Sequence, residues 1–325
     1  MSLILNNLSD YNFEKKVVFE FKQQVLKAER IIILPHSSAD GDALGAAFGL
    51  KHFLMSLNKE VVVVCPDEPS VKYFSDYLIK TVPFQPDLVI SVDTATLDRC
   101  FYPDEFRSAY FINIDHHVSN SMYANLNIVV GTAPSACEVV TVLLQTAFGD
   151  NIFSTIVAES LLFGLLSDTM LFRTAGSSND TLLIANFLTQ SGANFAHVRD
   201  AVCSRISFEN LKVWSAAILE GVLLRDNCLL IAIPYQKLVQ NNLNKDSFGG
   251  FVSFVSKLVD VDVVMFLLEV EPGVVKGSLR STGYDVNSFC KKFGGGGHVR
   301  ASGFRVSEVN LSEFVETIKN HYLGT

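Results

Sequence analysis

Four short apolar runs mark the first third of the chain. They are IIILP from Ile31 to Pro35, VVVVC after Glu60, LVISV after Asp87 and YFINI from Tyr110. Their length, their β-branched content and their lack of polar alternation predict strands buried on both faces, as in a parallel sheet. Around them, apolar residues recur at helical spacing over Phe13 to Lys27, Ala43 to Leu57, Ser135 to Phe148 and Ser154 to Leu166. Strands alternating with helices predict βαβ units. Near the other end, VVKGSLRS (Val274 to Ser281) reads as a strand with Lys276 and Arg280 on one face. A short helix follows, then KKFGGGGH from Lys291 to His298.

The polar residues closing these runs carry the chemistry. HSSADGD (His36 to Asp42) follows the first strand and Asp93 ends the third. Asp115, His116 and His117 end the fourth, and Asp168 follows the apolar part of the last helix. Ligands in open α/β sheets sit at the carboxyl ends of strands, so parallel pairing would bring these acids and imidazoles to one edge. Carboxylates crowded there repel unless a positive charge lies between them. A cation meets that need. Carboxylate and imidazole donors without thiolates suit manganese, magnesium, iron or cobalt better than a structural zinc. The donors are too many for one ion, and paired ions clamp the oxygens in phosphoryl hydrolysis. In the C-terminal part, Arg280 can hold a phosphate bidentately, and four successive glycines free backbone N–H groups to turn toward an anion. His52, His197 and His321 lie outside these stretches and read as structural or surface residues.

Composition narrows the choice. At 325 residues the chain suits two domains, and 49% hydrophobic against 18% charged residues predicts folded structure. The net charge of −8 lies wholly upstream of residue 220, since residues 220–325 hold 11 basic and 11 acidic residues. Long nucleic acid needs a basic face and is not expected as a partner. The 6 cysteines are scattered without a C-x-x-C, so buried free thiols are expected. No basic-then-apolar leader opens the sequence and no apolar run reaches spanning length, so no membrane partner and a cytoplasmic home are expected.

In order and spacing, HSSADGD, Asp93 in LVISVD, the Asp115-His116-His117 triplet, Asp168 in GLLSDT, SLRS and GGGGH-x-x-A-S-G (Gly294 to Gly303) resemble the DHH phosphoesterase superfamily. The C-terminal motifs resemble its DHH-associated substrate-binding domain. The size is similar to the small nanoRNase/pAp phosphatase (NrnA-like) branch. Ala39 stands where the family usually has proline, which removes turn rigidity but no ligand.

The resemblance implies one metal held by His36, Asp40 and Asp93, and a second by Asp42, Asp93, His116 and Asp168, with Asp93 as the bridge. It implies two manganese ions per site, with magnesium or cobalt as substitutes. Asp115 would orient a neighbouring histidine, and His117 would meet the scissile phosphate or help the leaving oxygen. Arg280, Ser281, Gly295, Gly296, Gly297 and His298 would grip the substrate's phosphate or nucleotide. The expected architecture is α/β. Residues 1–190 form a parallel-sheet catalytic domain, 191–220 a helical linker, and 221–325 a smaller α/β domain with a mixed sheet, with the active site in the cleft between domains. Expected substrates are very short oligoribonucleotides and 3′-phosphoadenosine 5′-phosphate (pAp), and the family also allows a homodimer. Rival readings are a cyclic- or linear-dinucleotide phosphodiesterase and, in another class, a non-catalytic nucleotide-binding regulator. Loss of a ligand would signal the regulator, and every expected ligand is present.

Overall fold

The apolar runs form strands in the computed structural model, which describes residues 8, 11–67, 69, 71, 73–74, 78–203 and 207–323, with backbone alone at 245, 246 and 321–323. In chain order the first unit, Met1–Ser204, holds α1 (Lys15–Lys27), β1 (Arg30–Pro35), α2 (Gly41–Ser56), β2 (Glu60–Val63), β3 (Leu88–Val92), β4 (Tyr110–Asp115) and β5 (Leu126–Val129). Four helices complete it: α3 (Ala136–Phe148), α4 (Thr155–Asp168), α5 (Asn179–Gln190) and α6 (Phe195–Val202). All five strands are parallel, in the order β2-β1-β3-β4-β5. The chain runs outward from β1 to β2, then returns across β1 to β3. The β1/β3 boundary is therefore a switch point, where the connections leave a crevice beyond the strands' carboxyl ends. The fifth strand, LNIV, is too short and too polar to stand out as an apolar run.

Side chains alternate faces along each strand. Ile31, Ile33, Ile90, Val92, Ile112 and Ile114 pack with the helices. Ile32, Leu34, Val89 and Phe111 face the opposite way, onto Phe106, Tyr102 and Tyr123. Both faces are thus covered, which explains the unbroken apolar runs.

Helices α2 and α4 cross at unusually close range. Gly41, Gly45 and Gly49 recur every four residues on one face of α2. A Cβ at Gly45 would lie 2.7 Å from the Ser160 carbonyl and 2.8 Å from the Gly164 backbone. A Cβ at Gly164 would lie 3.1 Å from the Asp42 Cα and 2.2 Å from Cys137 Sγ. Backbone therefore packs on backbone, which brings the first turn of α2 beside the last turn of α4. No helix among the described residues is long and apolar enough to cross a membrane.

The second unit, Arg205–Thr325, holds α7 (Phe208–Leu219), β6 (Val222–Leu223), β7 (Cys228–Ile233), α8 (Tyr235–Gln240), α9 (Phe251–Val255), β8 (Val263–Glu271) and β9 (Val274–Ser281). It ends with α10 (Val286–Lys291), β10 (Gly296–His298), β11 (Ala301–Val306) and α11 (Leu311–Leu323). Its sheet is mixed, ordered β10-β11-β9-β8-β7-β6, with only β7 and β8 pairing in parallel. Alternate residues of β8 again serve two cores. Val264, Phe266 and Leu268 meet Trp214 and Phe251, while Val263, Met265 and Leu267 meet Cys290, Phe314 and Ile318.

The stretch 191–220, expected as a linker, is divided between the units. Helix α6 packs on α4 in the first, and α7 inserts Trp214 into the core of the second. The cysteines also differ in part from expectation. All 6 are unbridged, but Cys203 is exposed because it caps the surface end of α6.

Candidate active site

Three strand ends and two helix ends of the first unit bring eight predicted residues together. His36 follows β1. Its Nδ1 lies 2.8 Å from the Ser37 carbonyl, which can only accept, so Nδ1 carries a proton and Nε2 is the nitrogen available to a cation once it gives up its own. His116 is oriented alike, with Nδ1 3.1 Å from the Ala133 carbonyl. Asp40 is the N-cap of α2: its Oδ1 accepts from the N–H groups of Asp42 and Ala43 at 3.0 and 3.1 Å. Its other oxygen lies 3.7 Å from His36 Nε2, so capping and site placement are one act.

Asp42 enters the cluster from the first turn of α2, but its carboxylate is held by α3. Oδ2 accepts from Ala136 N–H at 2.5 Å and Oδ1 from Cys137 N–H at 3.0 Å. A helix N-terminus, with its unpaired donors and positive dipole end, suits a buried carboxylate. Asp168, the last residue of α4, and Asp42 each place an oxygen 3.9 Å from His116 Nε2.

Asp93 lies between the two halves. Its Oδ2 is 3.6 Å from His36 Nε2, and its Oδ1 is 3.3 Å from His116 Nε2. Oδ1 is buried, yet no donor among the described residues is aligned to hydrogen-bond it. Its backbone is left-handed, with φ of 52°, unusual for a residue with a side chain. At the end of β4, Asp115 Oδ1 lies 2.8 Å from His117 Nδ1. A carboxylate accepts, so this bond fixes the imidazole's orientation and protonates Nδ1.

The electrostatics describe a cluster short of positive charge. Burial, reinforced by Asp93, pushes Asp42 above its ordinary value, and burial with Asp42 does the same to Asp168. Burial opposes the charged form of His36, but Asp40 and Asp93 outweigh it and raise the imidazole to about 9. Burial also opposes ionised Asp40, yet hydrogen bonding and charge from His36 hold it at about 2. Burial lifts Asp115 too, and hydrogen bonds from His117 and Asn120 overcome it, leaving the carboxyl below its usual range. Among the described residues, no lysine or arginine pairs with the carboxylates of Asp40, Asp42, Asp93 or Asp168.

The donor set fits divalent cations. Three groups, His36/Asp40/Asp93, Asp42/His116/Asp168 and Asp93/His116/His117, each offer ligand atoms within 4.8 Å of one another. All are oxygen or imidazole donors, and Asp93 Oδ1 is a buried acceptor with no aligned hydrogen-bond donor among the described residues. Away from the cluster, His52 is half-buried beside Phe48 and His197 is exposed. The side chain of His321 lies outside the described residues.

In the second unit, Arg280, Ala301 and His298 lie in one row across β9, β11 and β10. Arg280 donates to the Leu279 carbonyl at 3.0 Å. Burial pushes its guanidinium below its ordinary value, and no carboxylate among the described residues pairs with it. Ser281 Oγ donates to the Tyr284 carbonyl. The glycine run is not wholly a loop, because Gly296 and Gly297 belong to β10. A Cβ at Gly295 would lie 2.2 Å from the Gly303 carbonyl, and one at Gly297 2.6 Å from that of Ala301. These two glycines are needed for the hairpin's close pairing, whereas Gly296 borders open space.

Sequence reasoning missed the backbone donors of α3 that hold Asp42, which lie 94 residues away in sequence. It also missed a polar network under the Asp115 turn, built from Ser91, Asn113, Asn120 and Tyr123. One signal for it was present: Asn113 is a lone amide inside an apolar strand.

The DHH family, N-terminal domain, matches residues 30–165, and the DHHA1 domain matches 230–322. The bifunctional oligoribonuclease and PAP phosphatase NrnA of Thermus thermophilus is 29% identical over 307 residues, covering 91% of this chain and 90% of that protein. The probable bifunctional oligoribonuclease and PAP phosphatase NrnA of Streptococcus mutans is 30% identical over 280 residues, 85% of this chain and 89% of that one. Among solved structures, an exopolyphosphatase-related protein from Bacteroides fragilis matches with a TM-score of 0.87 at 25% identity, covering 94% of this chain and 95% of that chain.

Proposed function

Because the chain belongs to the DHH family and carries its DHHA1 domain, we propose that it is a two-cation phosphoesterase that hydrolyses very short oligoribonucleotides and removes a phosphate from pAp. The relatives named as oligoribonuclease and PAP phosphatase support a hydrolase acting on phosphate esters. One observation carries the two-cation reading: the two oxygens of Asp93 look toward different imidazoles, His36 and His116. His36, Asp40 and Asp93 would hold one ion, and Asp42, Asp93, His116 and Asp168 the other. Manganese is the proposed metal, with magnesium or cobalt as substitutes. Once bound, the pair would supply Lewis acidity to phosphoryl oxygens and acidify water at neutral pH.

The chain's own groups do the rest. Asp115 keeps His117 in one orientation with Nδ1 protonated, so that Nε2 can pass a proton to the departing nucleoside oxygen. Arg280, a half-buried guanidinium with no carboxylate partner among the described residues, grips the substrate's phosphate, with Ser281, the glycine run and His298 beside it. The test is hydrolysis by metal-stripped protein with manganese restored, on a 5′-phosphorylated diadenylate, pAp and cyclic di-AMP in parallel. Manganese-dependent turnover of the first two is expected. Turnover of cyclic di-AMP alone would move the protein to cyclic-dinucleotide chemistry, and no turnover despite bound manganese would favour a binding role.

A further inference from the structure

Asp93 occupies a backbone conformation that residues with side chains rarely adopt, and it is the residue on which both halves of the cluster depend. Something must hold it there. Its own N–H donates to the Ile114 carbonyl at 3.0 Å, which continues the β3–β4 pairing one residue past the strand. The next residue is fixed more heavily. Thr94 Oγ1 donates to the Val92 carbonyl at 2.9 Å. The Thr94 carbonyl faces three donors: Tyr123 OH at 3.0 Å, Asn113 Nδ2 at 3.2 Å and Asn120 Nδ2 at 3.3 Å. A carbonyl has two lone pairs, so its position is over-determined, and the peptide that follows Thr94 cannot rotate freely, which pins the turn one residue past Asp93.

Asn120 also reaches the other half of the site. Its Nδ2 lies 2.6 Å from Asp115 Oδ2 and 2.8 Å from Asn113 Oδ1. Its own Oδ1 accepts from Met122 N–H at 2.8 Å, and its N–H donates to the His117 carbonyl at 3.1 Å. With Oδ1 committed to an N–H donor, the amide has one orientation, with its two hydrogens facing three acceptors. Asp115 spends one oxygen on Asn120 and the other on His117. One amide therefore touches both the carboxylate that orients His117 and the carbonyl that follows Asp93.

We propose that Asn120 is a positioning residue that locks the Asp93 turn and the Asp115–His117 pair into a single geometry, so that cation affinity and turnover both depend on it. This deepens the phosphoesterase reading and rests on it for the turnover arm. The cation arm stands apart from any substrate.

The experiment is manganese titration of metal-stripped protein, following free manganese by electron paramagnetic resonance, alongside steady-state kinetics on the 5′-phosphorylated diadenylate. Outer partners of metal ligands typically contribute about 10- to 100-fold in affinity or activity. Asn120→Ala should therefore weaken manganese binding about 10-fold and lower kcat by roughly 10- to 100-fold, with KM changing less than about 3-fold. Ser121→Ala removes a neighbouring hydroxyl that bonds the Ala95 carbonyl, and it should leave both readouts unchanged. If Asn120→Ala does not fold, Tyr123→Phe removes one donor to Thr94 and keeps the ring. It should weaken manganese binding about 3-fold while its melting temperature stays near that of the parent. A folded Asn120→Ala or Tyr123→Phe protein with parental manganese affinity overturns the proposal. So does an equal rise in KM and fall in kcat for Ser121→Ala, which would mark a general loosening of the turn. If the parent binds manganese but turns over no substrate, the phosphoesterase reading fails while the titration still decides the role of Asn120.

Discussion

In the first unit, Asp42, Asp93 and Asp168 crowd together with no lysine or arginine among the described residues to pair them. In the second, Arg280 is half-buried, and no carboxylate among the described residues pairs with it. Burying either charge alone is costly, and a fold selected only for stability would have paired them. On the proposed function, each charge is kept for a ligand: a cation in the first unit and an anionic substrate in the second. The first unit supports its charge with fixed dipoles, the α3 N–H groups on Asp42 and the α2 N–H groups on Asp40. The second carries its charge half-buried on a sheet, in a row with His298.

The strongest way to break this division is Asp93→Ala. Both cation positions lose a ligand, so turnover should fall by more than the roughly 100-fold expected of an outer partner. Retained turnover in a steady-state assay would remove the bridging role. Next comes Arg280→Ala. A charge-assisted bond to phosphate contributes about 1.5–3 kcal/mol, so KM should rise roughly 10- to 100-fold with bound metal unchanged. Loss of metal, measured by elemental analysis, would mean that the units do not divide the work this way.

A pH series sharpens the same contrast. Asp42 and Asp168 hold protons above the usual carboxylate range, and His36 holds its proton up to about 9. A cation must displace those protons, so manganese affinity should rise as pH increases from about 6 to 9. Arg280 stays charged throughout and contributes no such slope. A flat manganese affinity by calorimetry would contradict the assignment of these residues as ligands.

A separate effect, on stability rather than turnover, concerns Glu138, fully buried on α3 beside the cluster, with Tyr11 OH donating to it at 2.5 Å. Burial pushes its carboxyl from 4.5 up to about 7. The folded state thus favours the proton. Its contribution is complete below about 4.5 and is lost as pH rises through about 7. Glu138→Gln should flatten that decline, worth at most roughly 3 kcal/mol. Denaturant melts at pH 5 and pH 8 that decline equally in parent and variant would refute it.

The parts of the fold legible in the sequence were those encoded locally. Unbroken β-branched runs announced β1, β3 and β4, because parallel strands are buried on both faces. The acids and histidines that end them fell at the one edge where such sheets place ligands. Less visible was whatever depends on distant partners. Nothing near Asp42 foretells that α3 will hold its carboxylate. The spacing of Gly41, Gly45 and Gly49 is readable, but its partner Gly164 is not. The glycines at 295 and 297 read as an anion loop, whereas their first duty is close pairing with β11. Nothing in the sequence marks Asn120, because its three acceptors lie on β4, at Asn113 and Asp115, and in the turn after β3, at Thr94.

The most direct measurement is anomalous diffraction at the manganese edge from crystals grown with the metal. Two peaks are predicted, one on each side of the Asp93 carboxylate, the first beside His36 and Asp40, the second beside Asp42, His116 and Asp168. A single peak, or a pair that does not share Asp93, would contradict the account.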